Sequence, residues 1–337
     1  MAYLQRLLGF FVTLFTLGVV LVVGGISWGA YEFKKPGPLT EVQVFEIPAG
    51  TGLSAVSDNL QTAGIIEHPK IFMVGVVLHG KSGQIKAGEY EITPGMSPQD
   101  IMDKLVKGDI IRRQVTVREG LTSHEVVELL KTVEDLSGDV ASVPPEGRLL
   151  PETYTYSKNE PRSEVIAEMK ADMDKALLEL CPTQPCWPEP LKSLDDVLTL
   201  ASIVEKETGV PEERKRVAGV FLNRLRKGIP LQTDPTVIYA ITKGQHKNDG
   251  KGPLGRRLLS KDLSFDSPYN TYKYAGLPPG PIANPGKASI EAVLHPEEHD
   301  LIYFVADGSG GHIFAKTLAE HNKNVAEWRK IRRKKSQ

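Results

Sequence analysis

From Leu7 to Tyr31 the chain carries no charged residue and is built largely of Leu, Val, Phe and Gly. No other feature limits the fold as much. The run is long enough to cross about 30 Å of hydrocarbon, whereas the apolar core of a cleavable signal peptide spans only about 7–15 residues. No small-x-small cleavage site follows, so residues 7–31 read as a transmembrane helix. Arg6 flanks it on one side and Lys34 and Lys35 on the other, which leaves its orientation open by charge alone.

The rest must fold in water. With 337 residues, 40% of them hydrophobic and 25% charged, there is material for two or three modules. A formal net charge of −1 argues against nucleic acid as a partner. Cys181 and Cys186 close a short Pro-rich loop and are the only cysteines. That pattern favours a disulfide over a metal site, which would want more ligands, with two free thiols as the alternative. The basic run Arg329–Lys335 reads as a solvated end.

After a Pro/Gly tether, a weak repeat begins. Val44–Gly50, Tyr90–Gly95 and Val115–Gly120 each read as a strand closed by a Gly turn. Helical patterns follow over Leu53–Ala63, Pro98–Val106 and Ser123–Leu130, because alternation gives way to a 3.6-residue period after each glycine. The first copy looks like a LysM-type glycan-binding unit, and a purely structural module is the competing reading. Further on, Ser163 is a candidate cap for a helix with Val165, Ile166, Met169 and Met173 inward. Helices are expected over about 191–208 and 211–227. The Gly/Pro/Asn/Tyr-rich stretch 228–286 has little periodicity and reads as a long functional loop. Leu301–Ala306 reads as a strand and His312–Phe314 as its hairpin return.

The helix ending at Gly209 carries Glu205 and Glu207. Residues two apart on a helix do not face each other, so the two cannot form a paired-carboxylate site. Glu207 lies over Ile203 and Val204 in the last turn, where apolar neighbours and the helix dipole both oppose ionisation. A general acid working near neutral pH needs that environment. A solvated pair of helix-end glutamates is the bland reading. The long loop offers Gln232, Thr233, Asp234, Tyr269, Asn270 and Tyr272, a mixture of amides, hydroxyls and rings suited to a sugar. His295, His312 and His321 lack metal-ligand spacing, and there is no phosphate loop or nucleophile elbow. No metal and no cofactor are implied.

Ala201–Thr208, Val220–Leu225, Leu231–Val237, Tyr269–Tyr272, Gly276–Gly286 and Tyr303–Val305 together resemble the MltG (YceG-like) endolytic murein transglycosylases over nearly the whole chain. The resemblance implies an α+β protein with an N-terminal transmembrane helix, a LysM-like β-α module and a mixed α/β catalytic domain. Residues 1–6 would be cytoplasmic, 7–31 the inner-membrane span, 32–142 the periplasmic module, 143–330 the catalytic domain and 331–337 a basic tail. It also implies Glu207 as the catalytic acid, since the family's glutamate is followed by Thr or Ser. Substrate contacts are expected from Gln232, Thr233, Asp234, Tyr269, Asn270, Tyr272, Asn223 and Glu152. Glu152 stands where the family commonly carries an aspartate. The expected substrate is the peptidoglycan glycan strand, cut to leave a 1,6-anhydro end, with penicillin-binding protein synthases as partners. A muramidase using Asp234 or Glu152 as second carboxylate, and a non-enzymatic glycan-binding scaffold, are the rival functions.

Overall fold

The computed structural model describes residues 2–245 and 253–335, so residues 336–337 of the expected tail lie outside it. Two compact units divide at Arg113/Gln114.

The first unit opens with α1 (Ala2–Lys34), whose segment Arg6–Lys34 is long and apolar enough to span a membrane, its most apolar 18-residue window having a mean hydropathy of 2.5. The helix outruns the charge-free stretch at both ends, because nothing in the flanking residues breaks it. Next come β1 (Gln43–Ile47), α2 (Leu53–Thr62), α3 (Pro69–Leu78), β2 (Gly88–Ile92) and α4 (Pro98–Lys107). Strands β1 and β2 pair antiparallel with Phe45 opposite Tyr90, and both rings enter a core with Leu60, Phe72, Ile101 and Leu105. Helix α4 is closed at both ends. Ser97 and Asp100 form a capping box, and Gly108 takes the left-handed C-cap at φ 74°. The repeat pattern did not anticipate α3, since an apolar run without polar punctuation shows no period.

Strand β3 (Arg113–Thr116) starts at the division, and the second unit continues with α5 (Ser123–Lys131), β4 (Leu136–Ser137), β5 (Thr153–Tyr156), β6 (Glu160–Pro161) and α6 (Arg162–Leu180). The third repeat copy belongs here, not with residues 32–113, because Val115, Val126 and Leu130 share a core with Leu149, Tyr154 and Met169. Strand β3 pairs with β5. Ser163 sits inside the first turn of α6, whose N-cap is Pro161. Cys181 and Cys186 form a disulfide just beyond that helix.

Then follow α7 (Leu194–Glu207), a 3-10 turn (Pro211–Glu213), α8 (Arg214–Arg226), α9 (Asp234–Thr242), a second 3-10 turn (Ser260–Ser264), α10 (Lys287–Leu294), β7 (Tyr303–Ala306), β8 (His312–Ala315) and α11 (Leu318–Lys335). The expected hairpin is present, with Phe304 opposite Phe314. Three of these helices were not expected: α9 within the long loop, α10 just after it, and α11, which makes most of the basic tail helical. The core of this unit is helical, with α7 packed against α8 and α10. Among the described residues the strands form only two-stranded sheets, so the fold is mixed α and β with helices dominant.

Candidate active site

Helix α7 is built to hold one residue at its end. Ser193 caps its start by accepting from the Asp196 amide, and Asp195 and Asp196 lie in the first turn, where the dipole favours them. Val197, Leu198, Leu200, Ala201, Ile203 and Val204 are all fully buried, so the helix is packed on almost every side. Ser202 ties it to the Gly276–Gly286 loop by accepting from the Ile282 amide at 3.0 Å. At the C-terminus Thr208 is buried, accepts from the Val210 amide at 3.1 Å and donates to Glu213 at 3.3 Å. Glu213 also accepts from the His312 backbone at 2.8 Å and lies 2.7 Å from His312 Nδ1. The last turn of α7 is thereby fastened to the 3-10 turn and to β8.

The two glutamates differ as the helix geometry requires. Glu205 turns inward and accepts from the Gly286 amide at 3.1 Å, with Arg214 at 3.9 Å. It is part of the scaffold. Glu207, the final residue of α7, is half-buried, and its carboxyl is pushed up to about 8. Burial is the main cause and the negative charge of Asp234 adds to it, while the Arg224 guanidinium opposes both. Such a group is protonated at neutral pH and can still ionise, as a general acid that later acts as base must.

The loop before α9 brings the other polar groups to this place. Gln232 is held at φ 53°, a left-handed conformation that costs a non-glycine residue about 1 kcal/mol or more. Its amide donates to the Thr271 carbonyl at 3.1 Å, and its side chain is exposed. The Thr233 amide donates to Thr271 Oγ1 at 3.1 Å. The Thr233 hydroxyl is buried and finds no partner among the described residues. Asp234 opens α9 and accepts from the Tyr272 hydroxyl at 2.7 Å. The charges of Glu207 and Asp234 both hold the Tyr272 phenol above its ordinary range, after burial itself.

Four other expected residues are held by contacts of their own. Asn270 is fully buried, and its amide bridges the Leu263 and Phe265 carbonyls while its oxygen accepts from the Tyr272 amide at 2.9 Å. It shapes the loop, with both amide hydrogens spent on backbone carbonyls. Asn223 is likewise committed, donating to the His299 and Leu301 carbonyls at 2.6 and 3.1 Å and accepting from Arg226. Tyr269 packs on Tyr239 with ring centroids 5.0 Å apart. Glu152 is exposed, and the groups its charge acts on are Glu119 and Tyr154.

Two charged groups escaped the sequence reading. Arg224, buried, donates to the carbonyls of Pro230, Leu231 and Ile302, joining the Gln232–Asp234 loop to α8 and β7. A signal existed: Val217, Phe221 and Arg224 continue one helical stripe, so the arginine occupies a core position. Glu146 accepts from the Ser123 amide at 2.6 Å and from the Tyr239 hydroxyl at 3.2 Å, and burial raises its pKa. Nothing in its Pro-Pro-Glu-Gly setting announces this. A cleft of about 490 Å³ runs from Asp234 past Arg256, Arg257 and Arg332. Arg256 is held by both oxygens of Asp262, and Arg332, exposed like its neighbours in the tail, lies over the Trp328 ring.

The sequence model of the YceG-like family matches residues 45–327. An endolytic murein transglycosylase of Bacillus subtilis (strain 168) is 34% identical over 337 residues, covering 90% of each chain. One of the same name from Streptococcus pneumoniae serotype 2 (strain D39) is 31% identical over 83% of this chain, which spans 57% of that longer protein. Among solved structures, a yceG-like protein of Listeria monocytogenes superposes with a TM-score of 0.51 at 34% identity, covering 84% of this chain and 99% of that one.

Proposed function

The chain belongs to the YceG-like family, and from that premise we propose that it is an endolytic murein transglycosylase in which Glu207 is the acid and then the base. Protonated Glu207 gives its proton to the glycosidic oxygen between N-acetylmuramic acid and N-acetylglucosamine, and that C–O bond breaks. The resulting carboxylate takes the proton of the muramyl C6 hydroxyl as its oxygen bonds to C1. The product is a 1,6-anhydro end, and Glu207 returns to its starting state. No water is consumed. The substrate supplies its own nucleophile at high effective concentration, so no second carboxylate is needed at the 5–5.5 Å or 6.5–9.5 Å separations of retaining and inverting hydrolases (about, in each case).

The observation that carries this reading is the placement of Glu207 at the end of α7, its carboxyl pushed up to about 8 by burial and then by the charge of Asp234. Asp234 is engaged by Tyr272 and suits electrostatic support of the positive charge that develops on the sugar. Arg224 suits the other half of the cycle, favouring the carboxylate. Gln232 and the unpartnered Thr233 hydroxyl are the groups best placed to meet the glycan. The basic cleft beyond Asp234 suits a polymer that bears carboxylates.

The strand-helix-helix-strand order of the first unit supports a LysM-like glycan-binding role. The span Arg6–Lys34 supports a single-pass membrane anchor, and the Cys181–Cys186 disulfide supports an oxidising, periplasmic side for the second unit. Nascent strands near the membrane are then the natural substrate, and penicillin-binding synthases the natural partners. Digestion of purified glycan strands tests the assignment. Glu207→Gln should lose at least about a hundredfold in turnover, while Glu205→Gln should keep measurable turnover, and wild-type turnover by Glu207→Gln would favour the scaffold.

A further inference from the structure

Helix α3 is apolar on every side. Only Lys70 interrupts Pro69–Leu78 with a charge, whereas a helix at the surface of a water-soluble unit turns polar residues outward. Phe72, Gly75 and Val76 are buried in the core, yet Val74, Val77 and Leu78 are 50%, 55% and 80% exposed. Helix α2 of the same unit shows the ordinary pattern, with Asp58, Asn59, Gln61 and Thr62 outward.

The apolar face is not isolated, because α3 lies against the last turns of α1. Gly75 leaves room for the Phe33 ring, which a Cβ there would meet at 2.3 Å. Phe33 also stacks on His79 at 5.4 Å, and Trp28 meets His68 edge-on at 5.3 Å. Between the two helices runs a groove of about 670 Å³ lined by Leu21 and Ile26 of α1 and Val74 and Leu78 of α3, with Lys34 and Lys70 also on its wall. Outer α3 and exposed α1 thus form one continuous apolar surface. A span needs about 20 residues, and Arg6–Lys34 has 29. The last turns of α1 therefore stand in the headgroup zone, where Trp28 and Tyr31 are favoured.

We propose that α3 is a membrane-interface helix. Val74, Val77 and Leu78 sink into the acyl boundary of the leaflet from which α1 emerges, a lipid chain fills the groove, and Lys70 reaches the headgroup phosphates. Bilayer lipid is the occupant because the face continues the lipid-facing surface of the spanning helix. The first unit is then held against the membrane by two helices and does not swing on a tether.

The test uses full-length protein in phosphatidylethanolamine/phosphatidylglycerol vesicles. An environment-sensitive fluorophore is placed on Val74→Cys, Val77→Cys or Leu78→Cys, and on Asp58→Cys for comparison; both native cysteines are in the disulfide. Doxyl-lipid is expected to quench positions 74, 77 and 78 severalfold more than 58, and iodide the reverse. Iodide reaching all four alike overturns the proposal, as does shielding of 74–78 from both quenchers, which a second copy or a partner protein would produce. A check without substitutions uses an acyl-chain diazirine lipid on the unaltered protein. It should mark the tryptic peptide 71–81 as well as the spanning peptide 7–34, and marking of 7–34 alone overturns the proposal.

Discussion

Three influences set the pKa of Glu207: the burial that opposes its charge, Asp234 that opposes it further, and Arg224 that favours it. With its pKa at about 8, kcat/KM should hold through neutrality and fall tenfold per pH unit on a basic limb near that value. Asp234→Asn removes a raising charge, so the limb should move to lower pH, measurable in the pH dependence of strand cleavage. The same shift has a stability consequence. The folded-state pKa of about 8 exceeds the ordinary 4.5, so the native state holds this proton more tightly than the unfolded chain. Stability should therefore decline as pH rises from about 4.5 to about 8 and level off above, by on the order of 3 kcal/mol at pH 7. Glu207→Gln should remove the decline, melting higher than wild type at pH 8–9 and nearly with it at pH 5. Of this cluster, Glu207, Asp234 and Tyr272 were legible in the sequence, because a carboxylate on an apolar helix and a polar loop both stand out. Arg224 was not, nor, outside the cluster, was Glu146, since a buried charge is recognised by the tertiary partners that satisfy it.

At the scale of elements, the site depends on how firmly α7, α8 and the hairpin β7–β8 are joined. Gly219 lets α8 approach the segment before β7 closely, since a Cβ there would lie 2.6 Å from the Glu297 carbonyl oxygen. Gly219→Ala should cost about 1–3 kcal/mol through overpacking, read as a lowered melting midpoint, and should reduce turnover by displacing the loop that Arg224 holds. Helices α7 and α8 were legible because each keeps an apolar stripe at helical spacing. Helix α9 was hidden by its composition: Asp-Pro-Thr-Val-Ile-Tyr contains few helix formers, and it is its packing on α7 that fixes it. Helix α11 has almost no apolar side to betray it, and α3 has no polar one. The part Asn270 plays in holding the loop, through Leu263, Phe265 and Tyr272, is visible only in the folded chain.

At the scale of the whole molecule, a helix long enough to span a membrane, a strand-helix-helix-strand unit and a helical unit carrying Glu207 make up a chain of the YceG-like family. The order of parts was readable from hydropathy and motif succession, while the division at Arg113/Gln114 was not, because the third repeat copy looks like its predecessors and differs only in the core it joins. The central claim is that Glu207 works with the substrate's own C6 hydroxyl in place of a water. Mass spectrometry of glycan strands cut by the wild-type protein tests it most directly. The expected products together weigh the same as the intact strand and end in 1,6-anhydro-muramic acid; products heavier by one water, with free reducing ends, would contradict the account.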